Sequence, residues 1–265
     1  MAAPAVTAIP DRQLLARLHA AERQQMDNLC GCFWGSLVLR AAGIEADQEA
    51  VALEAGAILP GGDPQTHVAP GATPRNDYRV ELPMAADPES AGTAATELAG
   101  AIRRLSDGAL EPIEVAGPWT GATVTALLDI AGPAAVLIAN LRTGLLWGSR
   151  PDPAVILNQL AGAEPEPPPA DWDVGHFVEL ATIVRGPAGA ALIVVRDTYQ
   201  ELGLAGHHLQ PPDRVAAALR RDDGREGGIL VVCASAAADD LRGGLRGAGL
   251  ELRGWDNGTP APATS

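Results

Sequence analysis

The sequence predicts an α+β fold in which N-terminal helices pack on an antiparallel β-sheet. Three observations predict it. The N-terminal part repeats its apolar residues at helical spacing, with loop chemistry between the repeats. The later part carries short apolar runs rich in β-branched residues at 134–141, 174–184, 190–195 and 228–233. Two of those runs are separated only by Arg185-Gly186-Pro187-Ala188-Gly189, which suits a hairpin and is too short for a parallel crossover.

In chain order, residues 12–25 place Leu14, Leu15, Leu18 and Ala21 on one face of a short amphipathic helix. Asp27 and Asn28 are N-cap residue types, and Phe33, Trp34, Leu37, Val38 and Ala41 follow at helical spacing. A second helix therefore begins near residue 28 and stops at Gly43, and a third covers 47–55. Residues 59–88 read as a long loop around a lone, surface-type His67, long enough to be either functional or disordered. Helical patterns recur around Ala94–Leu105 and Val124–Ile130, with a short strand at 110–115 between them. The acidic, proline-rich stretch 164–170 is a linker to the hairpin. Residues 213–221 and 237–246 read as the last helices, and the tail from Gly254 as disordered. The expected organisation is a single two-lobed domain over 1–253, with a long loop or insert at about 59–130 and a disordered tail at 254–265.

Composition narrows the chemistry. A net charge of -14 argues against nucleic acid or an anionic membrane surface as partner, since both need a basic footprint. All 19 basic residues are arginine, which removes Walker-type phosphate loops, Schiff-base enzymes and Ser-Lys hydrolases. Residues 1–10 lack a basic leader, and no run approaches the length of a membrane span. A cytoplasmic protein is expected. Its three cysteines, Cys30, Cys32 and Cys233, do not form a secreted disulfide framework and should be reduced.

Cys30 falls at a helix start, where unspent N–H groups and about half a positive charge stabilise a thiolate. If the hairpin turn centres on the Gly186-Pro187 bond, His176 and Asp197 sit directly opposite on one face. An aspartate there would orient the imidazole while its other nitrogen faces a thiol.

Gln24 followed six positions later by Cys30-Gly31, then Gly175-His176-Phe177-Val178, then Arg196-Asp197-Thr198-Tyr199, resembles the papain-like cysteine peptidases, most closely the bacterial leader-peptide (double-glycine) branch. Residues 24–40 and 132–200 carry the resemblance. It implies a papain-like fold, Cys30 as nucleophile, His176 as general base and then acid, Asp197 as orienting residue, and Gln24 completing an oxyanion hole with the Cys30 N–H. It also implies a peptide or small-protein substrate and no cofactor. The family pattern Cys-Gly-Ser-Cys-Trp has its second cysteine reactive, and the spacing between the cysteines is one residue shorter in Cys30-Gly31-Cys32-Phe33-Trp34, so Cys32 is the alternative nucleophile, and Gln25 competes with Gln24. Cys30 shares a helix stripe with Phe33, Trp34 and Leu37, whereas Cys32 lies off it. Trp34, Trp172, His207 and His208 are candidates for lining the substrate cleft. A zinc site from Cys30, Cys32, His207 and His208 fits poorly, because ligands one residue apart are tighter than usual, and no metal is expected. The same chemistry could end in acyl transfer, and a non-catalytic peptide-binding protein on the same fold is the remaining alternative.

Overall fold

The computed structural model describes residues 11–62, 68–187 and 189–261. The expectations for residues 1–10, His67 and 262–265 lie outside them. The chain forms an α+β fold around one six-stranded antiparallel sheet. Its strands are β1 (Leu110–Val115), β2 (Ala135–Arg142), β3 (Gly175–Arg185), β4 (Ala191–Arg196), β5 (His207–Gln210) and β6 (Gly228–Ala234), in the order β1-β6-β2-β3-β4-β5.

Both faces of the sheet are covered, which is why β6 reads as an unbroken apolar run and β2 as one interrupted only by Asn140 before its terminal Arg142. Val136, Ile138, Phe177, Leu230 and Val232 pack beneath α1 (Arg12–Ala21), α2 (Cys30–Ala41), α3 (Gln48–Ala55) and α4 (Ala95–Leu105). The alternate residues Leu137, Ala139, Val178, Leu180, Ile229 and Val231 meet α5 (Gly121–Ala131), α7 (Pro212–Arg220) and α8 (Ala238–Gly247). Each of these side chains larger than alanine contributes roughly 1.5–3 kcal/mol by leaving water. The division is thus into layers sharing one sheet, not into two lobes.

Three further expectations change. Residues 94–131 are no insert, because β1 pairs with β6 along its whole length and α4 and α5 each cover a face of the sheet. The segment from Gly254 is not a loose tail as far as residue 261. Trp255 is buried, Asn257 accepts from the Ala95 N–H (3.3 Å) and donates to the Thr93 carbonyl (3.0 Å), and the Thr259 hydroxyl donates to Ala91 (3.3 Å). Finally, α6 (Pro153–Leu160) and β5 were not foreseen. β5 is a four-residue edge strand, His-His-Leu-Gln, with no β-branched residue to mark it.

Residues 68–92 run irregularly but are tied down. Arg75 and Asp27 exchange bonds, backbone N–H to carboxylate and backbone N–H to carbonyl, both at 2.8 Å, and the Tyr78 hydroxyl donates to the Asp27 carbonyl at 2.6 Å. This strap fixes the segment that leads into α2.

Candidate active site

Helix α2 starts at Cys30, with Leu29 in the capping position and no side chain bonded to the first turn. Asp27 and Asn28 are therefore not caps. The Asp27 carboxylate serves Arg75, and Asn28 takes the left-handed conformation (φ 63°) that turns the chain into the helix. The consequence is an open helix N-terminus, with its N–H groups and positive end directed at whatever lies before Cys30.

Cys30 is half-buried, whereas Cys32 is wholly buried. The Cys32 sulfur lies 3.3 Å from the Thr93 hydroxyl, and burial pushes its thiol up to about 12. Cys233 is buried on the far side of the sheet.

His176 is 2% exposed at the start of β3. Its Nε2 lies 3.1 Å from Asp197 Oδ1 and 3.3 Å from the Thr198 hydroxyl. Thr198 gives its own proton to Gln25 (2.6 Å), so at His176 it accepts and the Nε2 carries the hydrogen. Nδ1 is then the nitrogen left for a sulfur. Burial opposes the imidazolium, but Asp197 and then the Cys30 thiol outweigh it and raise the His176 pKa. Asp197 is held below the usual carboxylate range: burial would raise it, and His176 and His208 overcome that. Its Oδ1 also accepts the Tyr199 N–H at 3.1 Å. Trp172 meets the His176 ring edge-on at 5.3 Å, and Tyr199 stacks at 6.1 Å. The two aromatic rings restrict the imidazole to a narrow range of orientations.

The register that brings His176 and Asp197 together is not the expected one. Glu179 pairs with Arg196, and a bulge between Leu180 and Thr182 shifts the ladder toward the turn. His176 is thus not opposite Asp197, which lies one residue beyond β4 and reaches across to the imidazole.

Gln24 and Gln25 part company. The Gln24 amide donates to the Thr73 carbonyl, on the strap and away from His176. Gln25 is buried and lines the cleft with His176; its Oε1 takes the Thr198 proton, leaving Nε2 to donate. Trp34 is core, stacked on His19 at 5.5 Å and bonded to the Phe177 carbonyl (3.2 Å). Of the four residues considered for the cleft, only Trp172 lines it. His208 lies behind Asp197, with Nε2 3.7 Å from Oδ2, while His207 bonds Arg196 and the Ala205 carbonyl. Both face a separate apolar groove of about 400 Å³ with Ile156 and Leu204. Among the described residues no group of three His, Cys, Asp or Glu side chains is arranged to hold a metal ion.

The cleft has a volume of about 150 Å³ and is lined mainly by polar groups: Gln25 and Thr93 on the helical side, His176 and Asn140 from the sheet, Arg221 and Asn257 at its far end. Several of these were missed. Asn140 was legible as the one polar residue inside the apolar run of β2. His19, whose Nε2 bonds the Asp197 carbonyl at 2.6 Å, sat unnoticed on the apolar face of α1.

A family model of unknown function, DUF6885, matches residues 9–256. The chain belongs to that family. No curated protein matches it. The family match spans every helix and strand described above, so the Cys30, His176 and Asp197 positions lie within the shared region, while Asn257 at the far end of the cleft lies just beyond it. Among the described residues no helix is long and apolar enough to cross a membrane.

Proposed function

We propose that the protein is a cysteine-nucleophile hydrolase of the papain-like kind, cleaving an amide bond in a peptide through a thioester. The observation that carries this reading is the sequence of contacts from the open end of α2 to Asp197. The Cys30 thiol acts on His176, and His176 is fixed through Nε2 by a buried carboxylate. Three side chains from distant parts of the chain meet in the order that thiol activation needs.

In the proposed reaction the Cys30 sulfur attacks the amide carbonyl carbon, and the carbonyl electron pair moves onto oxygen. The Cys30 N–H and the Gln25 Nε2 supply the donors for that oxyanion, so Gln25 takes the role first given to Gln24. Collapse breaks the C–N bond, and His176 delivers its proton to the leaving amine. Water then adds to the thioester, with His176 accepting its proton, and releases the acid and the thiol. By resemblance, the substrate is a leader or tag on a small precursor.

The test needs no substrate. Native protein is treated with limiting iodoacetamide at pH 6 and the alkylated cysteine is mapped by mass spectrometry, beside His176→Ala. Fast labelling of Cys30 that disappears in the variant is expected. Labelling of Cys32 first, or no thiol faster than a free cysteine, overturns the reading. Once a substrate peptide is found, added hydroxylamine intercepts the thioester and measures its partition between water and an amine.

A further inference from the structure

The far end of the cleft holds a guanidinium in unusual circumstances. Arg221 ends α7 with φ 57° and ψ 168°, a region that glycine occupies with little strain and other residues at a cost of about 1–3 kcal/mol. Its side chain is 1% exposed. The Nε and Nη2 edge is taken by the Asp223 carboxylate, and Nη1 donates to Asn140 Oδ1 at 3.3 Å. One N–H on each Nη then has no acceptor among the described residues.

Two neighbours leave that outer fork open. Gly175 precedes His176 in β3, and a Cβ built there would stand 3.1 Å from Nη2 and 3.2 Å from Nη1. The missing side chain is the space in front of the fork. Asn140, 3% exposed in the middle of β2, has its oxygen committed to Arg221, so its Nδ2 is turned to the cleft it lines and has no acceptor among the described residues. A buried amide inside an otherwise apolar strand needs partners for its hydrogens.

We propose that this end of the cleft is a carboxylate subsite, formed by the outer fork of Arg221 and the Asn140 amide and left open by Gly175, for a carboxylate carried by the substrate. Four N–H donors match the lone pairs of two oxygens. A primary amide offers one oxygen and sets its own donors against them. Net charge is not the reason. Arg142, Arg221 and Arg225 are offset by Asp173, Asp222, Asp223 and Glu89, so recognition rests on donor geometry. The carboxylate is either the C-terminus of a peptide or an aspartate or glutamate side chain within it. The subsite deepens the proposed peptide hydrolysis and rests on that reading for its substrate.

The test is calorimetric binding to the full-length Cys30→Ala protein at pH 7, which cannot turn over. The probes are acetyl-Ala-Ala-Gly as the free acid, the same peptide as its amide, and acetyl-Ala-Glu-Ala-amide. At least one carboxylate probe is expected to bind tenfold or more tightly than the neutral amide. Preference for the free acid assigns the C-terminus, and preference for the glutamate peptide assigns a side chain. Gly175→Ala, which sets a methyl in front of the fork but removes no donor, and Asn140→Asp, which replaces the donor with an acceptor, should each erase the advantage. Equal or undetectable binding of all three probes, or an advantage that survives both substitutions in folded protein, overturns the subsite. Iodoacetamide labelling of the unmodified protein is read separately. A reactive Cys30 without carboxylate preference removes only the subsite, and carboxylate preference with an inert Cys30 removes only the hydrolase.

Discussion

Cys30 and Cys32 stand two residues apart on one helix and occupy different environments. Cys30 lies half-buried at the open end of α2, near an imidazole. Cys32 is buried in the helix-side core, where its sulfur meets the Thr93 hydroxyl and burial pushes it to about 12. Gln24 and Gln25 are divided in the same way, one held by the strap and the other lining the cleft. What separates neighbours is the side of the backbone on which polar partners await them. Residue type alone does not distinguish them.

The largest expected effect is the one that would break this contrast. Cys30→Ala should abolish amide cleavage and the fast-labelling thiol, while Cys32→Ala should leave the labelling rate within about twofold and destabilise the fold by about 1–2 kcal/mol in urea denaturation. Next comes His176→Ala, which should slow iodoacetamide labelling at pH 6 by about 100-fold, because the thiolate loses its counter-charge. The glutamines sharpen the comparison further. Gln25→Ala should lower kcat by about 100-fold and Gln24→Ala by no more than about twofold, measured on the same peptide.

The smallest effect lies in stability against pH, where two histidines touching Asp197 are shifted in opposite directions. His19, buried against the Asp197 carbonyl, is lowered to about 4, with burial as the main cause. The unfolded chain takes that proton near 6.5 and the native chain only near 4, so stability is lost as pH falls through this window. His176 does the reverse. Despite burial, Asp197 and Cys30 raise it to about 10, so its contribution is complete below 6.5 and is lost as pH rises from there toward about 10. Melting temperatures across pH should show His19→Gln flattening the acid limb and His176→Gln the alkaline one.

Much of this was legible in the chain. The apolar runs located four of the six strands and the short strand read at 110–115 is a fifth, and the contiguous motifs around Cys30, His176 and Asp197 marked residues that do converge. What could not be read was register and side. The bulge at Leu180 and Thr182 is invisible in a run of β-branched residues, so the right pair was reached through the wrong alignment. The strap decides between Gln24 and Gln25 through tertiary bonds to Thr73 and Asp27, which no local pattern encodes. The segment after Gly254 looked like a tail because it ends in Thr-Pro-Ala-Pro-Ala-Thr-Ser, yet Trp255 and Asn257 are both buried and Asn257 finds a partner in Thr93.

That last segment sets when the cleft can exist. One wall is pinned by Asn257 to Thr93 and Ala95, across more than 160 residues of chain, and the sheet edge β1 must wait for β6. Contacts of such long range form late, after their loop-closure entropy has been met by the rest of the sheet. A partly made or partly folded chain can present the Cys30 helix but not the enclosure around it. The competence of the site is therefore an all-or-none property of the finished fold, and in urea it should vanish together with the sheet, with no active intermediate in between.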